Sequence, residues 1–172
     1  MFKKRQNQRS GFTMIEIVVV IFIVSVGILG VMSLIVQNVK SQAYNKNSLI
    51  ASQLAQEGIE MVRMVRDTNW LTNSQFNTNL GESGVGRAYF MDYTDVVPRD
   101  FNGNSSQLKL IVDSQGFYHD YDYSSGTVSG FYREIIVSRP TDHSLKVDCT
   151  VSWQEHGQSH SYTLETKLYD WK

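Results

Sequence analysis

The sequence predicts an α+β fold, in which one long N-terminal helix packs on an antiparallel β-meander. A charge-free apolar run from Ile17 to Val39 is followed, with no proline before Pro98, by residues that keep a helical amphipathic period. Beyond residue 107, β-branched and aromatic runs alternate with turn residues. An amphipathic helix and a one-sided sheet each have an apolar face to cover, and packing them together covers both.

Composition predicts one globular domain beside this helix, because the chain has 172 residues and a typical domain has about 100–200. The charges behind the net value of −1 are unevenly distributed along the chain. Four of the 16 basic residues lie close together near the N-terminus: Lys3, Lys4, Arg5 and Arg9. The remainder is acidic, which argues against a nucleic-acid surface. The single cysteine, Cys149, excludes an intramolecular disulfide.

The apolar run is long enough to cross a membrane. Its 23 residues span roughly 35 Å as a helix, against a hydrocarbon core of about 30 Å. The short basic flank before it favours a cytoplasmic N-terminus, which places the rest of the chain outside the cytoplasm. Glu16 lies at the start of this helix, where an unpaired carboxylate in the membrane costs about 2.5–3.5 kcal/mol. It therefore needs a partner, unless it snorkels to the interface or is protonated at the bilayer edge.

The helix is predicted to continue from Phe12 to about residues 66–68, a length of roughly 80 Å. Past Gln37 the apolar residues form a broad stripe that must cover something, and the polar residues occupy the other side. The predicted stripe contains Ile50, Ala51, Leu54, Ala55, Gly58, Met61, Val62 and Val65. The predicted polar side contains Gln53, Gln56, Glu57, Glu60 and Arg63.

Residues 67–107 contain many glycines and other breakers and predict a long connection with at most short elements. An antiparallel sheet follows over residues 108–172. Its predicted strands are Leu108 to Val112, Phe131 to Val137, Leu145 to Trp153 and Tyr162 to Tyr169. Glu155, His156 and Gly157 are predicted to turn the third strand into the fourth.

The N-terminal residues carry a family resemblance. A basic leader ending in Gly11, then Phe12, Thr13 and a Glu16 just inside an apolar helix, resembles the class III signal of type IV prepilins and type II secretion pseudopilins. The resemblance implies that prepilin peptidase cuts between Gly11 and Phe12 and that the new amine is methylated. It also implies that Glu16 attracts the Phe12 amine of an adjacent subunit during assembly. The later stretches SVGILGVMSLI and AQEGIEMVRMVRDTNW look like those of minor pilins.

This resemblance implies three segments: a basic leader (1–11), a transmembrane and filament-core helix (12–39) and a globular domain (40–172). The expected protein is a structural, minor subunit of a type IV pilus or related filament, with no enzymatic activity and no cofactor. Its expected partners are prepilin peptidase, other pilin or pseudopilin subunits and the inner-membrane assembly platform. A minor pseudopilin of a type II secretion system and a membrane-anchored ligand-binding domain are the alternatives.

The sequence gives only weak signals for a catalytic or metal-binding site. The histidines, at positions 119, 143, 156 and 160, lack metal-ligand spacing and are predicted to be solvated loop residues. Cys149 falls on the inward face of its strand and is predicted to be a small buried hydrophobe. Asp113, His119, Asp120 and Asp122 gather oxygen ligands in residues 113–130, and some resembled pseudopilins hold calcium in such a loop. EF-hand spacing is missing, so solvated turn acids are the favoured interpretation and no metal site is predicted.

Overall fold

The computed structural model describes residues 11–81 and 86–171, and the leader up to residue 10 lies outside the described part. The elements are the helix α1 (Met14–Leu71), a 3₁₀ turn (Ser105–Leu108) and the strands β1 (Arg87–Phe90), β2 (Arg99–Asp100), β3 (Lys109–Val112), β4 (Tyr118–His119), β5 (Thr127–Thr141), β6 (Ser144–Glu155) and β7 (Gln158–Tyr169). The chain divides into two compact units between Ala43 and Tyr44. The predicted α+β class is confirmed, with one long helix packed on an antiparallel sheet.

The first unit contains the N-terminal part of α1. Its side chains are solvent-exposed up to residue 42. The window around the apolar run is long and apolar enough to cross a membrane. Thr13 caps the helix, because the Glu16 N–H donates to the Thr13 carbonyl oxygen at 3.1 Å and lies 3.4 Å from Thr13 Oγ1.

The second unit is built around β5. On one side β5 pairs with β6, which pairs with β7, and all these pairs are antiparallel. On its other side β5 pairs with β1 through Ile135–Val137 and with β3 nearer its N-terminal end. β2 extends β1, and β4 extends β3. The predicted meander is present as β5, β6 and β7.

The sheet begins earlier than the predicted residue 108. Both β1 and β2 are short and lie in the segment 67–107, which the sequence predicted as a connection with at most short elements. β1 is a strand because it pairs with β5, at Arg87↔Val137 and Tyr89↔Ile135, and such long-range pairing leaves no periodicity in four residues. The helix also ends later than predicted, at Leu71. Asn73 follows with a φ of 55°, a left-handed conformation that suits the residues just after a helix.

The core lies between α1 and the inner face of the sheet. The sheet contributes Ile135, Val137, Val147, Cys149 and Val151, each with 0% exposure. The helix contributes buried residues from Ala51 to Trp70, which include Leu54, Met61 and Val65 of the predicted stripe. Burying one such aliphatic side chain contributes about 1.5–3 kcal/mol, so this contact is a main source of stability.

The β6–β7 hairpin has the predicted turn. Its two central residues, His156 and Gly157, have φ values of 50° and 79°, and Glu155 pairs with Gln158 across it. Two consecutive positive φ angles are typical of a type I′ turn, whose twist matches that of the flanking strands. Glycine at the second position meets this requirement without steric cost.

Candidate functional site

The first candidate site is the start of α1. Gly11, Phe12 and Thr13 precede the helix and Glu16 lies in its first turn. Phe12 is 78% exposed, and the Gly11 Cα has open space on its side-chain face. Gly11 and Phe12 are thus both open to solvent in this unit.

The start of the helix stabilises the Glu16 carboxylate, but only by a small amount. A carboxylate in the first turn of a helix interacts with the helix dipole, which contributes about 0.3–1 kcal/mol. This is less than the roughly 2.5–3.5 kcal/mol that an unpaired acid costs inside a membrane. Within residues 11–81 and 86–171 no cation forms an ion pair with Glu16. Any ion-pair partner of Glu16 lies outside these residues.

A second cluster joins the segments 92–100 and 113–123. His119 lies between two carboxylates, with Nδ1 3.0 Å from Asp92 Oδ2 and Nε2 3.5 Å from Asp113 Oδ2. The Tyr123 ring stacks on the imidazole at a centroid distance of 3.8 Å. The prediction that His119 is a solvated loop residue is therefore wrong. The cause is tertiary, because β4 carries this side chain into contact with a loop more than twenty residues away in sequence.

Arg99 forms the other half of this cluster. Its guanidinium pairs with Asp95 at 3.0 Å and Asp122 at 2.7 Å, and also with Asp120. The Asp120 side chain is only 4% exposed, so the prediction of solvated turn acids is wrong for this residue. A buried carboxylate needs such a cationic partner, and Arg99 supplies it.

Asp113 is held by its own loop. Partial burial raises the pKa of its carboxyl, but hydrogen bonds from the Phe117 N–H at 3.0 Å and the Gln115 N–H at 2.8 Å outweigh this and lower the pKa below its usual range. In the described part of the chain, no group of three or more histidine, cysteine or acidic side chains is arranged to hold a metal ion. The geometry of this cluster is that of an ion-pair network between loops.

Sequence reasoning missed a buried charge in the core. Arg133 lies on the inner face of β5 with 2% of its side chain exposed, and its Nη2 donates to the Met91 carbonyl oxygen at 2.8 Å. Glu57 Oε2 is 3.4 Å from Arg133 Nη1. Glu57 therefore faces the sheet and not the polar side to which the sequence assigned it. The sequence did contain a signal for the inward position of Arg133. Arg133 is two residues from both Phe131 and Ile135, and residues two apart lie on the same face of a strand.

Cys149 is on the inner face of β6, as predicted. Burial raises the pKa of its thiol to about 12, so the thiol stays protonated at neutral pH. A protonated, buried thiol is neither a nucleophile nor a metal ligand. Cys149 is therefore a packing residue.

Comparison with known proteins identifies a family motif at the N-terminal end of the chain. Residues 6–32 match the family model described as the prokaryotic N-terminal methylation motif. The match spans the Gly11–Phe12 junction, Glu16 and the first part of the apolar run. No curated protein and no solved structure is significantly similar to the chain.

Proposed function

We propose that this chain, whose methylation motif and long apolar helix fit a type IV prepilin-like protein, is a minor structural subunit of a type IV pilus or related filament. The observation that carries the proposal is the position of the motif's Gly11–Phe12 junction, directly before an exposed apolar helix. In an ordinary secretory signal the apolar region is removed by cleavage. Here the junction precedes the apolar helix, so cleavage at the junction keeps the helix in the mature chain.

The proposed segments are the leader 1–11, the membrane and filament-core helix 12–39 and the globular domain 40–172. Prepilin peptidase cuts after Gly11, and the amine of Phe12 is methylated. The helix first spans the inner membrane with the globular domain outside the cytoplasm. With the help of the inner-membrane assembly platform it then leaves the membrane and packs against the same segment of other subunits. Both environments cover the apolar side chains that are exposed in the isolated chain, such as Phe22 and Leu29.

Glu16 has the assembly role in this proposal. Cleavage creates a cationic amine on Phe12, and the carboxylate of Glu16 on a neighbouring subunit attracts it. Two opposite charges 4 Å apart attract by about 1 kcal/mol in water and several times more in a medium of low dielectric. This attraction offsets the cost of holding the acid among apolar helices.

Processing tests the family assignment. Co-expression with an active prepilin peptidase should shorten the chain by 11 residues and add a methyl group to Phe12, because the motif presents the Gly11–Phe12 bond. Gly11→Val should abolish cleavage, since a β-branched side chain replaces the hydrogen next to the scissile bond. Mass spectrometry of the N-terminus measures both. An unprocessed wild-type chain would contradict the proposal and favour the uncleaved, membrane-anchored binding domain.

Substitution of Glu16 separates assembly from anchoring. Glu16→Gln keeps the shape and removes the charge, and a neutral amide is easier to bury than a carboxylate. We expect normal membrane insertion and cleavage but at least a tenfold loss of subunit in sheared filaments, the equivalent of about 1.4 kcal/mol. Quantitative immunoblots of membrane and filament fractions measure this. Thr13→Ser, which keeps the helix cap, is the matched control, and normal recovery of the Glu16 variant would rule out the pairing role.

A minor pseudopilin of a type II secretion system is the second candidate, because such proteins carry the same kind of methylation motif. The two candidates differ in the machinery encoded nearby. A major pilin beside the peptidase, assembly ATPase and secretin genes supports the pilus, and a full set of pseudopilin genes supports secretion.

A further inference from the structure

The outer edge of β7 is long, and no strand in the described part of the chain lies beside it. β7 has 12 residues, pairs with β6 in an unbroken register and contains no proline. Within the described residues no other strand pairs with it. The opposite edge of the sheet is different, because it is formed by β2 and β4, which have two residues each. A long, regular edge presents unpaired N–H and C=O groups and is a template for another strand.

The register identifies which residues point their backbone groups outward. The Asp170 N–H donates to the His143 carbonyl oxygen at 2.9 Å, and residues 143 and 170 continue the β6–β7 register. Hydrogen-bonded and non-hydrogen-bonded pairs alternate along an antiparallel ladder. The even-numbered residues of β7 therefore bond to β6, and the odd-numbered residues are free at the edge: Ser159, Ser161, Thr163, Glu165, Lys167 and Tyr169.

We propose that this edge binds a second copy of itself, antiparallel, with Thr166 opposite Thr166. The sequence around this residue, Leu164-Glu165-Thr166-Lys167-Leu168, is self-complementary. Glu165 lies opposite Lys167 of the second copy, and the reverse pair forms on the other side of the two-fold axis. Leu164 and Leu168 form two further pairs on the face that carries the helix.

Charge selects this register over its neighbours. Centring the pairing on Glu165 puts two glutamates opposite each other, and centring it on Lys167 puts two lysines opposite each other. Both are repulsive. A two-fold axis that passes between two consecutive residues is excluded. It would place odd-numbered residues opposite even-numbered ones and leave the free backbone groups unmatched.

The isolated subunit leaves Lys167 without compensation. Lys167 lies directly across from Lys146, a like charge. Lys146 is compensated by Asp148 at 3.0 Å and Glu165 at 3.2 Å, whereas no ion pair of Lys167 occurs within the described residues. In the pair, Glu165 of the second copy lies on the open side of Lys167. This supplies the missing acid and fits a second copy of the chain as the occupant.

The two-fold axis of the pair is perpendicular to the sheet, so the segment Tyr44–Leu71 that packs on the sheet runs in opposite directions in the two copies. We expect this pairing in detergent solution, where no membrane orients the two copies.

Cross-linking tests the register in the full chain, in detergent and in a Cys149→Ala background. Thr166→Cys should give a disulfide-linked dimer on mild oxidation, because the two Cα atoms of a non-hydrogen-bonded pair are about 4.5 Å apart. Thr163→Cys is the control on the same strand, and its two copies lie about 20 Å apart in the proposed register. Non-reducing gels measure the dimer. Absence of the Thr166 cross-link, or equal cross-linking by both variants, overturns the proposal.

A charge exchange tests the same contact without cysteine. Glu165→Lys and Lys167→Glu should each weaken self-association at least about tenfold, because two attractive pairs become repulsive. Mixing the two variants, or combining both changes in one chain, should restore it to within about threefold. Glu134→Lys, on the same outer face but on the central strand β5, should have no effect.

Analytical ultracentrifugation in detergent measures these affinities. Unchanged association in the single variants overturns the pairing, as does failure of the mixture to recover. This result is independent of processing, so it leaves the proposed function intact, and an unprocessed chain would leave the pairing intact.

Discussion

Arg133 joins the two layers of the globular unit through a single guanidinium group. It donates to the Leu54 carbonyl of α1 at 3.4 Å and to the Met91 carbonyl at 2.8 Å, and it pairs with Glu57. A buried cation is tolerated when its donors find such acceptors. The alternation of side chains along β5 places Arg133 on the inner face of the sheet. Its acceptors, however, belong to two distant parts of the chain, and only the fold brings them close to the guanidinium group.

Glu57 makes the free energy of unfolding depend on pH. Burial raises the pKa of its carboxyl, and the opposing attraction of Arg133 does not fully cancel this. A raised pKa in the folded state means that the folded protein binds the proton more tightly than the unfolded chain. The associated stability is present below the unfolded-state pKa and is lost as the pH rises through the folded-state pKa.

Glu57→Gln should therefore raise the midpoint of thermal unfolding at pH 7 by a small amount. The gain should disappear as the pH falls below about 4, near the ordinary pKa of a glutamate. Thermal unfolding followed by circular dichroism across this pH range is the measurement. Glu60→Gln, on the exposed side of the same helix, is the matched control. A variant less stable than wild type at pH 7 would mean that the ion pair with Arg133 outweighs burial.

At the scale of the element, α1 is one helix with two surroundings. Its N-terminal part exposes apolar residues on all sides, whereas its C-terminal part buries one face against the sheet. Gly58 marks the close approach, because a Cβ built there would lie 2.5 Å from Cys149 Sγ. The small residues in the predicted stripe are thus explained by the distance between helix and sheet, which the sequence alone does not give.

Gly58→Ala should destabilise the globular unit, against the usual trend. Alanine in place of glycine normally stabilises a helix by about 1 kcal/mol, but overpacking a core costs about 1–3 kcal/mol. We expect a net loss of up to about 2 kcal/mol in urea unfolding.

The same substitution in a Cys149→Ala background provides the control. Removing the sulfur makes room for the new methyl group, so the helix propensity should dominate and the effect of Gly58→Ala should become neutral or favourable. An equal loss of stability in both backgrounds would show that the strain does not arise from the contact between residue 58 and Cys149.

At the scale of the whole molecule, the second unit depends on the helix for one face of its core. Eleven residues of α1 are buried, from Ala51 to Trp70. They cover the inner faces of β5, β6 and β7, which would otherwise expose contiguous apolar surface. The first unit contributes no buried residue between positions 11 and 43.

Three fragments test this division. Fragments 37–172 and 44–172 should be soluble and unfold cooperatively with similar midpoints, because both keep the buried part of α1. A fragment 71–172 should aggregate or remain unfolded, since it lacks the helix that covers the sheet. Circular dichroism and size-exclusion chromatography are the measurements. If the shortest fragment folds as well as the others, α1 is not part of the core.

The sequence by itself determined the elements whose signals are local. The apolar run, the amphipathic stripe, the alternation in β6 and the His156–Gly157 turn all depend on spacing within a few residues, and the structure confirms them. The methylation motif is local in the same sense, and the family comparison matches it.

The tertiary structure decided what depends on distant partners. β1 is a strand only through β5, His119 is buried by contact with Asp92, and Glu57 faces inward because Arg133 is there. The free energy of these features comes from pairs of residues separated by tens of positions. A sequence lists each member of such a pair separately, and folding brings the two members into contact.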